Sequence, residues 1–137
     1  MFTKKETSYI NSQPLARLAT ISKELQPDAS PVGFKFDGKD FYITGRNLAA
    51  TRKYKNIAGG YQKVALVIND LESIDPWKPR GIRIFGTAEI VEWSGKLGSG
   101  NYLQIMPNVS WSWNIEWSAI VDGKFLPNKT IHLKENG

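Results

Sequence analysis

Hydrophobic and polar positions alternate along much of this chain, which is the pattern of half-buried β-strands. Leu15 to Ser22, LARLATIS, carries little turn chemistry and reads as a mostly buried strand. Arg17 interrupts it, so its side chain either points to solvent or meets an anion. Gln26-Pro27-Asp28 marks a loop, after which Val32, Phe34 and Phe36 alternate with Gly33 and Lys35. Asp37-Gly38 then predicts a hairpin to a strand at Phe41 through Thr44. Val64 to Ile68 is a continuous β-branched run, as expected of a strand buried on both faces. Asn69 to Arg80 places Pro76 and Pro79 around Trp77 and reads as a polar loop that docks on something. Ile82 to Trp93 predicts a long strand with a bulge or bend at Gly86. Ser94 to Gly100, SGKLGSG, has the composition of a flexible link, and Tyr102 to Met106 suits a helical turn or a strand equally.

The cleanest alternation comes next. Val109, Trp111, Trp113, Ile115 and Trp117 fall on one face, and Ser110, Ser112, Asn114 and Glu116 on the other. Such a strand has a dry aromatic face that covers either a barrel or a partner subunit. Beyond it, residues 118–137 hold Gly, Pro and Asn turns with a short strand at Thr130 to Leu133.

Two segments break the period of two. Thr3-Lys4-Lys5-Glu6 is a capping-box pattern that predicts a short helix ending near Gln13-Pro14. Asp40 to Ile57, DFYITGRNLAATRKYKNI, joins a strand to a basic helix, with Asn47 as the expected N-cap and Gly59-Gly60 as the stop. Ala50, Tyr54 and Ile57 form its apolar face, while Arg52, Lys53 and Lys55 point elsewhere, with Arg46 upstream. A strand end, a helix start and clustered cations suit a phosphate. The plainer reading of the same residues is a solvated cationic face. About six strands and two helices predict a mainly β (α+β) fold, a small antiparallel barrel in one domain over residues 1–137, with 118–137 as a C-terminal extension.

Composition narrows the chemistry. The chain has 137 residues and no cysteine, which excludes disulfides, thiolate metal sites and cysteine nucleophiles. Its one histidine, His132, cannot build a histidine metal cluster and reads as an exposed tail residue. No apolar leader or membrane-length run is present, so a cytoplasmic location is expected. The sequons at Asn108 and Asn128 therefore lack a secretory context. A net charge of +5 favours an anionic partner. Five Trp, five Tyr and six Phe serve a core, a planar ligand or a dimer seam. GxxxxGK[ST], GxGxxG, HExxH and GxSxG patterns are all missing. The carboxylates Asp70, Glu72 and Asp75 read as loop charges.

The order and spacing of RLAT (Arg17 to Thr20), PVGF (Pro31 to Phe34), FYITGRNLAATRKYKNI, VALVINDLESIDPWKPRGIRIFGTAEI (Val64 to Ile90) and VSWSWNI (Val109 to Ile115) are distinctive. In them the chain resembles the pyridoxamine 5'-phosphate oxidase-like split barrels, and within these the small flavin/deazaflavin-dependent oxidoreductases. The resemblance implies a six-stranded split barrel and a homodimer with FMN or coenzyme F-420 at the subunit interface. Carried over, the ring would lie along Arg17, Leu18, Ala19 and Thr20, then Pro31, Val32 and Gly33, and Ile43, Thr44 and Gly45. The phosphate would meet Lys53, Lys55 and Asn56, with Asn47, Thr51 and Arg52 adjacent. The partner subunit would complete the pocket through Trp77, Lys78, Pro79 and Arg80 and through Trp111 to Trp113. Hydride transfer to or from a small substrate is the implied reaction, with the chemistry supplied by the cofactor. No catalytic residue is evident; Tyr42, Tyr61 and Tyr102 are the candidate proton donors. The chain is short for pyridoxamine phosphate oxidase itself and lacks its C-terminal arginine signature. A non-catalytic flavin, deazaflavin or haem carrier of the same fold is the alternative. A barrel for single-stranded nucleic acid fits less well, because no cations interleave the aromatic face of 109–117.

Overall fold

In a computed structural model, the protein is described over residues 1–95 and 98–133. Helix α1 (Lys4–Ser12) begins with the expected capping box: Glu6 N donates to Thr3 Oγ1, and Thr3 N donates to Glu6 Oε1. The strands are β1 (Ala16–Ile21), β2 (Pro27–Val32), β3 (Lys35–Phe36), β4 (Phe41–Ile43), β5 (Lys63–Ser73), β6 (Lys78–Gly95) and β7 (Gly98–Trp113). A 3-10 turn (Leu48–Ala50) and helix α2 (Arg52–Ala58) separate β4 from β5. The last strands are β8 (Ile120–Val121), β9 (Lys124–Phe125) and β10 (Asn128–Ile131).

The main sheet is antiparallel, in the order β2-β1-β5-β6-β7-β4-β3, and β10 pairs with β7. β6 runs along one edge of β7 for its full length, so β4 and β10 share the other edge end to end. The sheet does not close, because its outer strands β2 and β3 have no ladder between them. Eight strands stand where six were expected. The Val32–Phe36 pattern divides at Gly33-Phe34, and the tail adds a strand, whereas Tyr102–Met106 and the Trp segment merge into β7. The expected loops also shrink. Pro27 and Asp28 pair with β1, and Asn69 to Leu71 pair with Pro79 to Gly81. A polar stretch at the wet end of a hairpin is a strand only because a partner supplies its ladder. The bulge at Gly86 is present. Lys96 and Leu97, within the stretch expected to be flexible, lie outside the described residues.

The inner face carries the core: Leu18, Leu66, Ile68, Ile82, Ile84, Leu103 and Ile105 are fully buried. Ile10, Leu48 and Ile57 bring α1, the 3-10 turn and α2 onto it. β5 is buried on one face only: Val64, Leu66 and Ile68 point in, while Ala65 and Val67 are partly exposed on the outer face.

The Trp strand has the expected period, and its aromatic face is turned away from the core. Ser110 and Ser112 are 0% and 1% exposed, whereas Trp111 and Trp113 stand half-exposed outside. The buried hydroxyls are satisfied: Ser112 donates to Glu6 Oε2 (2.5 Å), and Ser110 Oγ is 2.8 Å from His132 Nε2. His132 is accordingly not an exposed tail residue but half-buried against the Phe2 ring, at 4.4 Å, and burial lowers its pKa. The alternation stops at Trp113, because Asn114 takes a left-handed backbone (φ 56°) and Ile115 and Trp117 leave the strand. The aromatic face therefore does not cover its own barrel.

Candidate cofactor-binding site

The segment from β4 to α2 folds differently at its start from the sequence expectation. Asn47 has a left-handed backbone (φ 52°) and makes no side-chain cap bond. Thr51 is the cap of α2 instead: its Oγ1 accepts from Tyr54 N (3.3 Å) and donates to Leu48 O (2.6 Å). The intervening 3-10 turn moves the helix start four residues on. With only seven residues, α2 has little dipole to offer, so any grip on an anion falls to its side chains. Arg46, Arg52 and Lys55 are exposed and Lys53 is half-buried. Among the described residues none of the four has a carboxylate partner. Asn56 Nδ2 donates to the buried Thr20 Oγ1 (3.0 Å), which ties α2 to β1. The cations of α2 are thus held beside β1, without a compensating carboxylate among the described residues. They fit a phosphate group, which accepts several charge-assisted hydrogen bonds.

The strand residues divide by face. Leu18, Val32 and Ile43 are core side chains, so only their backbone could meet a ring. Thr44 Oγ1 donates to Asn101 O (3.0 Å), and Gly33 and Gly45 are exposed. Arg17, Ala19 and Pro31 stand on the outer face. Register places Pro31, Arg17, Val67, Arg83, Trp111 and Lys129 in one row across the sheet. The adjoining row is Ala29, Ala19, Ala65, Phe85, Val109 and Ile131. Arg83 lies over Trp111 (4.6 Å) and Phe85 (5.4 Å), and those two rings meet edge-on. Arg83 and Phe85 carry no motif of their own; they alternate with the buried Ile82 and Ile84, and their register with Trp111 and Val109 reveals them. Arg17 and Trp111 share this face but are three strand spacings apart, roughly 14 Å.

The remaining candidates gather at the far end of β5 and β6. Arg80 holds Asp70 through two hydrogen bonds (2.8 and 3.0 Å) and covers the Tyr9 ring at 5.1 Å. Tyr9 donates to the same carboxylate (2.8 Å). Trp113 packs over Gly81, where an added Cβ would come within 2.7 Å of the ring and of Ile68 O. Asn114 Nδ2 donates to Pro79 O (2.6 Å), and Trp77 is exposed. The cavity beside Arg80 and Asn114 is lined from α1, β5 and β6 and contains no residue of α2. Of the tyrosines, Tyr102 donates to Gly98 O (2.7 Å) and Tyr42 stacks on Trp93 (4.2 Å). Burial and Asp37 push the Tyr42 hydroxyl up to about 12.

The Arg80 bonds hold the Asp70 carboxyl below its ordinary value of 3.8, with Tyr9 and Gln13 adding and burial opposing. A carboxyl so depressed contributes stability above that pH and loses it as the pH falls through its lower folded value. Asp70→Asn is therefore expected to lower the thermal midpoint near neutrality, with the deficit shrinking below pH 3.8. Melting curves across that range would contradict the assignment if the deficit stayed constant.

A model of the family described as pyridoxamine 5'-phosphate oxidase matches residues 2–111. The chain belongs to that family. It is similar to a 5a,11a-dehydrotetracycline/5a,11a-dehydrooxytetracycline reductase of Streptomyces rimosus, with 33% identity over 121 residues, 84% of each chain. HupZ of Group A Streptococcus shares its fold, with a TM-score of 0.66 at 21% identity over 86% of this chain and 98% of that one. So does an F-420 reductase, with a TM-score of 0.61 at 18% identity over 80% and 98%. The open sheet is thus the split barrel of the pyridoxamine 5'-phosphate oxidase family. The family match ends at residue 111, so β8, β9 and β10 lie beyond it. Among the described residues no helix is long and apolar enough to cross a membrane.

Proposed function

We propose that this chain is an oxidoreductase of the pyridoxamine 5'-phosphate oxidase family, distinct from that oxidase, which works in the cytoplasm on a small substrate with FMN or coenzyme F-420. When bound, the cofactor supplies hydride chemistry. The observation that carries the reading is a set of cations with no carboxylate partner among the described residues: Arg52, Lys53 and Lys55 on the helix that Asn56 ties to Thr20 of β1, with Arg46 upstream. The reductase from Streptomyces rimosus, 33% identical, supports redox chemistry in particular.

The ring would lie where two copies meet. The outer face bears Arg17, Ala19, Val67, Phe85 and Trp111, and Phe85 is 45% exposed. Apolar and aromatic residues with arginine among them are typical of the core of an interface. A second copy on this face would bring its own β6 and β7 toward α2 of the first and join what one chain keeps apart.

Titration of apo-protein with FMN and with F-420, followed by ring fluorescence, tests both parts and decides between the cofactors. One of them is expected to bind the dimer stoichiometrically. Phe85→Glu is expected to yield folded monomers with binding weakened by at least about ten-fold, as when a charge is buried in an interface core. Failure of both cofactors to bind would overturn the proposal, and so would a Phe85→Glu protein that is dimeric with full affinity. Binding without turnover across reductants and acceptors would make the protein a carrier.

A further inference from the structure

A cavity of about 540 Å3 lies away from α2 and shares no residue with Arg46 to Asn56. The N-terminus, the β3–β4 turn, the outer face of β6 and β7 beyond the bulge, and His132 and Leu133 line it. Its volume is that of a small-molecule site. Phe2, Met106 and Pro107 supply apolar wall, while Asp40, Glu89 and Gln104 supply polar wall. Glu89 and Gln104 are direct cross-strand partners, so both project onto this face. Gln104 is oriented by the buried Asp40: its Nε2 donates to Asp40 Oδ2 (2.9 Å) and to Tyr42 Oη (3.3 Å). Both amide hydrogens are thereby spent, and the side-chain oxygen is what Gln104 has left to offer. The Glu89 carboxylate and that amide oxygen are the acceptors of this wall, while Asp40 is engaged with Gln104. Lys39 and Met1 also line the cavity, at exposed positions of the β3–β4 turn and the N-terminus.

We propose that this cavity is a second ligand site, for an organic amine on a ring-sized apolar body, with the ammonium on Glu89 and Gln104 and the ring against Phe2, Met106 and Pro107. The proposal does not rest on the cofactor reading. The tail beyond the family match takes part in it: His132 lines the cavity, fixed there by Ser110 and Phe2.

The composition supplies its own reporters. The chain has two methionines, Met1 and Met106, and one histidine, and all three line the cavity. Protein labelled with 13C at the methionine methyls is titrated with benzylamine, benzyl alcohol and benzoate, which share a shape and differ in charge. Benzylamine is expected to move both methyl signals and the His132 ring proton saturably. Its affinity should exceed that of benzyl alcohol by about ten-fold, the effect of a charge-assisted hydrogen bond. Glu89→Gln, at an exposed strand position, should preserve the fold and bring benzylamine to the level of benzyl alcohol. The site is disproved if benzylamine gives no saturable shift, if benzoate binds as tightly, or if Glu89→Gln leaves the preference intact.

Discussion

Replacing Arg52 and Lys53 together by alanine is expected to weaken binding of FMN or F-420 by on the order of a hundred-fold or more, about 3 kcal/mol. Each cation would donate charge-assisted hydrogen bonds to a phosphate, and each such bond is worth about 1.5–3 kcal/mol. Neither residue has an ion-pair partner to lose among the described residues, so thermal stability should barely change. That separation of affinity from stability is the diagnostic result. The double variant should also show a shallower dependence of affinity on salt, since fewer cations would meet the anion. Lys63→Ala combined with Lys124→Ala, two exposed cations on β5 and β9, serves as the control of equal charge change. Unchanged affinity in the double variant would place the phosphate elsewhere.

Glu6→Ala is expected to destabilise the fold by about 3–5 kcal/mol, read from urea denaturation. Glu6 is 0% exposed, and its carboxyl accepts from Thr3 N (3.0 Å), Ser112 Oγ (2.5 Å) and Asn128 Nδ2 (3.2 Å). The variant leaves three donors without this partner, and Ser112, the most buried of them, is closed off from water. Helix propensity opposes this, since alanine is the better helix former, but by only a few tenths of a kcal/mol. The hydrogen-bond term therefore decides the sign. Ser112→Ala removes a donor together with its demand and should cost less. Combined with Glu6→Ala it should add little, which a double-mutant cycle would read as strong coupling. A loss below about 1 kcal/mol for Glu6→Ala would mean that water or a neighbour replaces the carboxyl.

The Glu6 network explains why the serines of β7 face inward. A strand with Trp on one side and Ser on the other would ordinarily bury the Trp side. Here α1 brings a carboxyl and β10 an amide to the inner side, and the tail brings an imidazole. Each hydroxyl finds a partner, so burying them is affordable. The indole rings are then left for the outer face, beside Arg83 and Phe85.

The sequence by itself determined the local features, because each depends on residues close together in the chain. Thr3 and Glu6 specified the first helix; Asp37-Gly38 specified the β3–β4 turn, and Gly86 the bulge. The order of RLAT, PVGF and DPWKPRG carried the family, and the cations from Arg46 to Lys55 marked the candidate phosphate end. What the tertiary structure decided was facing and partnership. A period of two says that Trp111 and Ser112 lie on opposite sides, but not which side is inside. That choice is made by groups distant in the chain, of which Glu6 against Ser112, 106 residues apart, is the clearest case. The same holds for Asn47 and Thr51, since the 3-10 turn between them forms as Leu48 reaches the core. It holds for His132 and the tail strand too, whose places exist only once β7 presents an edge. Chain-local energies write the elements, and long-range satisfaction of buried polar groups selects how they face.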